Sequence, residues 1–221
     1  RISIQKIEQD LAELVVTWSD RLRAEMLKTY GQDEGEQLFR PYGHIFPAGF
    51  QEDTLPAEAC SDVRAIDDML RDGVCRSVDL YSANKLNDGD LRFIVYSVGQ
   101  PIALSDALPV VEEMGSAVYT EHPHECRLDS GQSFWIQDFH LRHESGTSID
   151  VEAVSERFEE CFMAVLAGAA ENDGLNRLIV PAGLTWRQVT LLRCYAKHIL
   201  QLGVPFSQAY MEDVLVAHAN L

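Results

Sequence analysis

The chain has 221 residues, enough for one or two domains with a substantial core, and at 46% apolar and 24% charged it has the composition of a folded globular protein. Its 35 acidic residues against 18 basic ones give a formal charge of −17, which repels phosphate backbones and anionic lipid, so neither nucleic-acid nor membrane partners are expected. The longest run of apolar residues and glycine, Cys161 to Ala170, is too short to span a bilayer.

The first stretch, residues 3–30, predicts one long amphipathic helix. Ile4, Ile7, Leu11, Leu14, Trp18 and Leu22 recur at spacings of three and four, and Gly31 stops the pattern. Its opening, RISIQKIEQD, has no secretion-signal pattern and no initiator Met, and so reads as part of a longer polypeptide. Residues 32–60, with Pro41, Gly43, Pro47, Gly49 and Pro56, predict an irregular segment with short helical pieces. SDVRAIDDMLRDG then predicts a helix from Ser61, with Val63, Ile66 and Met69 or Leu70 on its apolar stripe and Gly73 as its stop.

The period then changes. CRSVDLYS (75–82) and LRFIVYSV (91–98) predict two strands joined by the polar loop ANKLNDGD. GQPIALSDALPVVEEMG (99–115) predicts a loop and a helix capped at Ser105, with Pro109 near its first turn. SAVYTEHP (116–123) and SFWIQDFHLRH (133–143) predict two more strands. Asp150 caps a helix whose buried face carries Val154, Phe158, Cys161, Phe162 and Val165. The order β-β-α-β-β-α predicts a circularly permuted ferredoxin-like sheet, antiparallel, in the spatial order 75–82, 91–98, 133–143, 116–123, with both helices on one face. The fold class is therefore α+β, with helical segments flanking the sheet.

Beyond the sheet, residues 171–184 are turn-rich. Thr185 and Gln188 form a capping box that opens TWRQVTLLRCYAKHILQLG. In GVPFSQAYMED, Gly203 and Pro205 break the helix, Ser207 caps the next, and Phe206 and Met211 stand at staple positions, predicting a last helix over 208–219. The domains predicted are a helical segment 1–73, a sheet domain 74–170 and a helical hairpin 171–221.

Few residue sets carry chemistry. His122, His124 and Cys126 alternate on one strand, with His140 and His143 on the next, so several could face a metal. Pro123 interrupts the alternation, and a solvated sheet edge without metal is the favoured reading. Ser82 and Lys85 fit S-x-x-K but lack the partner motifs of a nucleophile site. No dinucleotide, P-loop or G-x-S-x-G pattern occurs, so no catalytic residue is assigned. Gly99, Gln100 and Ser105, where a strand ends and a helix begins, are candidates for binding a small carboxylate. Trp186, Arg187, Arg193, Tyr195, Gln208 and Tyr210 have the polar and aromatic character of an interface. The five scattered cysteines, odd in number and without C-x-x-C, read as reduced thiols of a cytoplasmic protein.

Six stretches together resemble the very large bacterial NAD-dependent glutamate dehydrogenases: WSDRLRAEML (18–27), FPAGFQED (46–53), PIALSDALPVVEEMG (101–115), FWIQDFHLRH (134–143), the run 156–200, and GVPFSQAYMED (203–213). The resemblance implies an N-terminal regulatory region with an ACT-like module at 75–168 and linking helices after it. It also implies NAD as a cofactor of the parent enzyme but none in this segment. Implied partners are the remaining domains of the same chain, including the dehydrogenase core, further copies in a homo-oligomer, and an amino-acid or small-carboxylate effector. A purely architectural module without ligand is the alternative.

Overall fold

A computed structural model describes residues 16–82, 90–144 and 149–219. Four helices come first: α1 (Trp18–Tyr30), α2 (Gln32–Tyr42), α3 (Ala48–Asp53) and α4 (Pro56–Asp72). Next are β1 (Arg76–Ser82), β2 (Asp90–Val98), α5 (Leu104–Glu113), β3 (Ser116–Arg127), β4 (Ser133–His143) and α6 (Val151–Leu166). A 3-10 turn (Gly174–Leu178) and helices α7 (Trp186–Gln201) and α8 (Gln208–Ala217) complete the described chain.

The four strands form one antiparallel sheet in the order β1-β2-β4-β3, the order expected from the pattern of strands and helices. Alternation decides which face is covered. Leu91, Phe93 and Val95 of β2 and Phe139 and Leu141 of β4 point to the face that also buries Val110 and Val111 of α5 and Phe158 and Phe162 of α6. The Phe93 ring meets Phe158 at 5.4 Å and Phe162 at 4.8 Å, both edge-on. Each fully buried Phe contributes about 2–3 kcal/mol of apolar transfer, so this aromatic cluster is a main source of the sheet layer's stability.

The chain divides into two compact units, each drawing on the strands. One holds α1–α4 with residues 96–101 and 123–136. Within it Trp18, Phe46 and Phe50 form an aromatic knot, and the Trp18 indole N–H donates to the Thr54 carbonyl at 3.0 Å. The buried Tyr96 hydroxyl donates to Asp62 of α4 at 2.7 Å. The other unit holds residues 78–95, 102–122 and 137–219, including the Phe93 cluster and everything from α5 and α6 to α8.

Several boundaries differ from those expected. The helix expected over 3–30 begins, where it is described, at Trp18. Thr17 is extended, its Oγ1 accepts from the Asp20 N–H at 3.1 Å, and the Asp20 carboxylate accepts from the Thr17 N–H at 3.0 Å. Residues 1–15, with Ile4, Ile7, Leu11 and Leu14, lie outside the described residues, as do Lys85 and most of the ANKLNDGD loop. The segment expected to be irregular contains α2 and α3, and α4 starts at Pro56 rather than Ser61, because proline in the first turn has no N–H to lose. Gly73 closes α4 at φ +69°, a conformation that costs glycine no Cβ clash.

β3 continues through Pro123 to Arg127, beyond the end expected at Pro123. The strand lies at the sheet edge, where a proline costs no ladder bond. Val118 packs on the Phe139–Leu141 face and Glu121 accepts from Gln137 of that same face, yet the two are three residues apart. The alternation therefore slips by one residue between them, as in a β-bulge.

Candidate functional surfaces: the strand-to-helix turn and the C-terminal hairpin

The turn after β2 is built on a buried glutamine. The Gln137 side chain, from β4, accepts from the Ile102 N–H at 2.7 Å and donates to the Ile102 carbonyl at 3.0 Å and to Glu121 at 3.1 Å. This grip on Ile102 sets the helix entry early. Ala103 is the extended N-cap, without a side-chain bond, and α5 begins at Leu104, so Ser105 is not the cap that its position suggested. Pro109 consequently stands at the sixth residue of the helix, not in its first turn.

The three residues singled out around this turn use their donors internally. Gly99, at φ +85°, donates its N–H to the Ser133 carbonyl at 2.8 Å, and the Gln100 N–H approaches the Val98 carbonyl at 3.2 Å. The Ser105 hydroxyl is exposed and lies 3.4 Å from the Asp106 carboxylate. A carboxylate ligand here would meet the free amide end of α5 with an acidic side chain beside it.

The histidines do not converge. His122 and His140 face each other across β3 and β4 with ring centroids 5.8 Å apart. Burial, Arg92 and His122 hold His140 below the ordinary imidazole range. His124 packs edge-on against Phe50 at 5.2 Å, with the Asp53 carboxylate 3.8 Å away, and His143 is buried at the end of β4. His124, His143 and Cys126 are therefore inside, not on a solvated edge. Among the described residues no group of three or more His, Cys, Asp or Glu side chains is arranged to hold a metal.

The inner side of the C-terminal hairpin packs Val189, Leu192 and Val216 on the core around one buried cation, Arg193, and its outer side exposes further apolar side chains. Thr185 and Gln188 close the capping box of α7, with Thr185 Oγ1 accepting from the Gln188 N–H at 3.3 Å. Ser207 caps α8 by accepting from the Tyr210 N–H at 3.1 Å. Phe206 stacks on Tyr210, with ring centroids 5.1 Å apart. Of the residues expected at an interface, Tyr195 and Tyr210 are exposed, and the exposed Arg187 guanidinium lies 4.2 Å over the Trp186 ring. Gln208 turns inward and donates to Glu212 at 2.8 Å. Arg193 is only 2% exposed and is an internal group: it donates to both Asp173 oxygens at 2.6 and 2.8 Å and to Asn176 at 3.0 Å. This buried network and the Gln137 clamp were not legible in the sequence. Only the turn-rich character of residues 171–184 marked one end of the former.

Comparison with known proteins matches these elements in order. Residues 25–69 match helical motif 2 of glutamate dehydrogenase, residues 76–154 its ACT3 domain, and residues 170–221 its helical motif 3. The chain belongs to the glutamate dehydrogenase family. The NAD-specific glutamate dehydrogenase of Halomonas elongata is 32% identical over 218 residues, 99% of this chain and 13% of that protein. Those of Pseudomonas aeruginosa and Mycobacterium tuberculosis are 29% and 33% identical, over 98% and 99% of this chain. The chain thus spans about 13% of the length of the curated relatives it matches.

In this glutamate dehydrogenase segment the ACT3 match covers the four strands, α5 and the first residues of α6, with the helical-motif matches on either side, and the segment is a non-catalytic region. β2 and β3 are joined through α5 with β4 between them, a split β-α-β unit, so among the described residues no two parallel strands lie side by side as they do in a Rossmann fold. No described helix is long and apolar enough to cross a membrane.

Proposed function

We propose that the chain is the regulatory and scaffolding region of an NAD-dependent glutamate dehydrogenase. The enzyme is a cytoplasmic homo-oligomer whose dehydrogenase core lies in the same polypeptide. The whole enzyme oxidises L-glutamate with NAD and water to 2-oxoglutarate, ammonia and NADH; this region supplies no reacting group. The observation that carries the reading is the succession of helical motif, ACT domain and helical motif along one chain, with the sheet order β1-β2-β4-β3.

Regulation works through an amino acid or small carboxylate held at the turn bearing Gly99, Gln100 and Ser105. Such an effector changes activity only by binding one arrangement of the domains more tightly than another. The supporting feature is the start of α5, whose N-cap residue makes no side-chain bond to the first-turn amides. The second reading is architecture without a ligand, favoured by the internal use of the Gly99 and Gln100 amides and by the exposed apolar hairpin.

A thermal-shift panel of amino acids and central-metabolism acids separates the two. Regulation predicts a rise in Tm of about 2 °C or more for one compound at saturating concentration, diminished by Ser105→Asp. A flat response to every compound removes effector binding and leaves the scaffold.

A further inference from the structure

We infer that the outward face of the α7–α8 hairpin is the seat of an amphipathic helix supplied by the same polypeptide, apolar where it meets the hairpin and basic along one flank. The inference rests on the reading of this chain as part of a longer enzyme and names what covers its interface.

Eight of the thirteen large apolar side chains exposed among the described residues fall between Leu191 and Leu215, so exposure is concentrated and not scattered. On α7 and its C-cap, Leu191, Tyr195, Ile199 and Leu202 recur at helical spacing on the side away from the buried Val189, Arg193 and Ala196. The stripe runs on through the stacked Phe206 and Tyr210. α8 is an apolar ten-residue helix with no buried residue of its own. A helix that short is marginal in water, and an apolar one needs a second surface to bury against. Exposed apolar side chains recurring at helical spacing suit a third helix.

Charge and length select the occupant. The chain carries −17, so a second copy would bring an equal negative charge to the same face. Lys197 of the hairpin pairs with Glu171 and Arg193 with Asp173, Arg187 lies over the Trp186 ring, and Arg177 of the 3-10 turn pairs with Asp213 of α8. The relatives extend well beyond the 13% of their length that this chain matches. A tethered segment of that remainder meets the hairpin at an effective concentration in the millimolar range, which a separate partner does not reach.

Cys194, exposed beside Tyr195, is a native reporter. In the 221-residue chain it is expected to react with N-ethylmaleimide as an open thiol, and the chain to stay monomeric in light scattering. In the longer polypeptide its rate is expected to fall at least tenfold, independent of dilution, and to recover on Leu202→Glu. A photocrosslinker at Tyr210 is expected to join the hairpin to an apolar, Lys- or Arg-bearing peptide outside these 221 residues of the same polypeptide. Equal Cys194 rates in both polypeptides overturn the inference. Protection that grows with concentration in the 221-residue chain, together with a dimer mass, overturns it in favour of a second copy. A native polypeptide of only 24.8 kDa on an immunoblot overturns the longer-enzyme reading, and the tethered occupant with it.

Discussion

Arg193 shows how one residue turns a loop into a fixed part. Its guanidinium, 2% exposed, is satisfied by the Asp173 carboxylate and the Asn176 amide oxygen, so the turn before the hairpin has a defined position on α7. Arg193→Ala leaves Asp173 without its partner and is expected to cost about 3–5 kcal/mol in urea unfolding, whereas the double variant with Asp173→Leu costs less than Arg193→Ala alone. His143 gives a second test. Burial holds its imidazole below the ordinary value, with Glu144 opposing, so the unfolded chain binds that proton more readily. Stability is therefore expected to rise with pH up to the unfolded value of about 6.5 and to fall on acidification through that window. The slope of unfolding free energy between about pH 5 and 7 should flatten in His143→Gln. At this scale the sequence was least informative. Arg193 stands among polar and aromatic neighbours that read as surface, and its partner lies 20 residues earlier. His143 is buried on the same alternation as Phe139 and Leu141, which sets it apart from His140, whereas His124, two residues from His122, is buried because its end of the strand packs on Phe50.

Whole elements were more legible, because their signals are local. The caps at Asp150, Thr185 and Ser207 and the stop at Gly73 are each set by a side chain or a φ angle within a few residues. Sheet order followed from the succession of strands and helices. The start of α5 did not, since it depends on Gln137 of β4, 35 residues away. Gln137→Leu strands the buried N–H and carbonyl of Ile102 and is expected to cost about 2–4 kcal/mol, read as a lower urea midpoint with an unchanged m-value. The packing of α1 on α2 is as close as backbone allows: a Cβ on Gly35 would lie 2.7 Å from the Met26 carbonyl oxygen. Gly35→Ala is expected to destabilise by about 1–3 kcal/mol in the same assay, although alanine is the better helix former.

Across the whole molecule, thiol chemistry reports on the two compact units at once. Cys60, Cys126 and Cys161 are buried, and burial pushes them up to about 11, 12 and 11, while Cys75 and Cys194 are exposed. The native chain is expected to present two fast thiols to Ellman's reagent near pH 8 and all five once unfolded in guanidinium. Release of Cys60 and Cys126 at a lower denaturant concentration than Cys161 would mean that the unit holding α1–α4 opens first. One further link binds the second unit together. Asn172 donates to the Pro109 carbonyl of α5 at 3.0 Å and accepts from Asn176, which itself accepts from Arg193 of α7. A short polar strut thus runs from the helix layer over the sheet to the root of the hairpin. Torque applied at the hairpin would reach α5 through rigid parts instead of dissipating in a slack loop, which makes the pair a lever and its fulcrum.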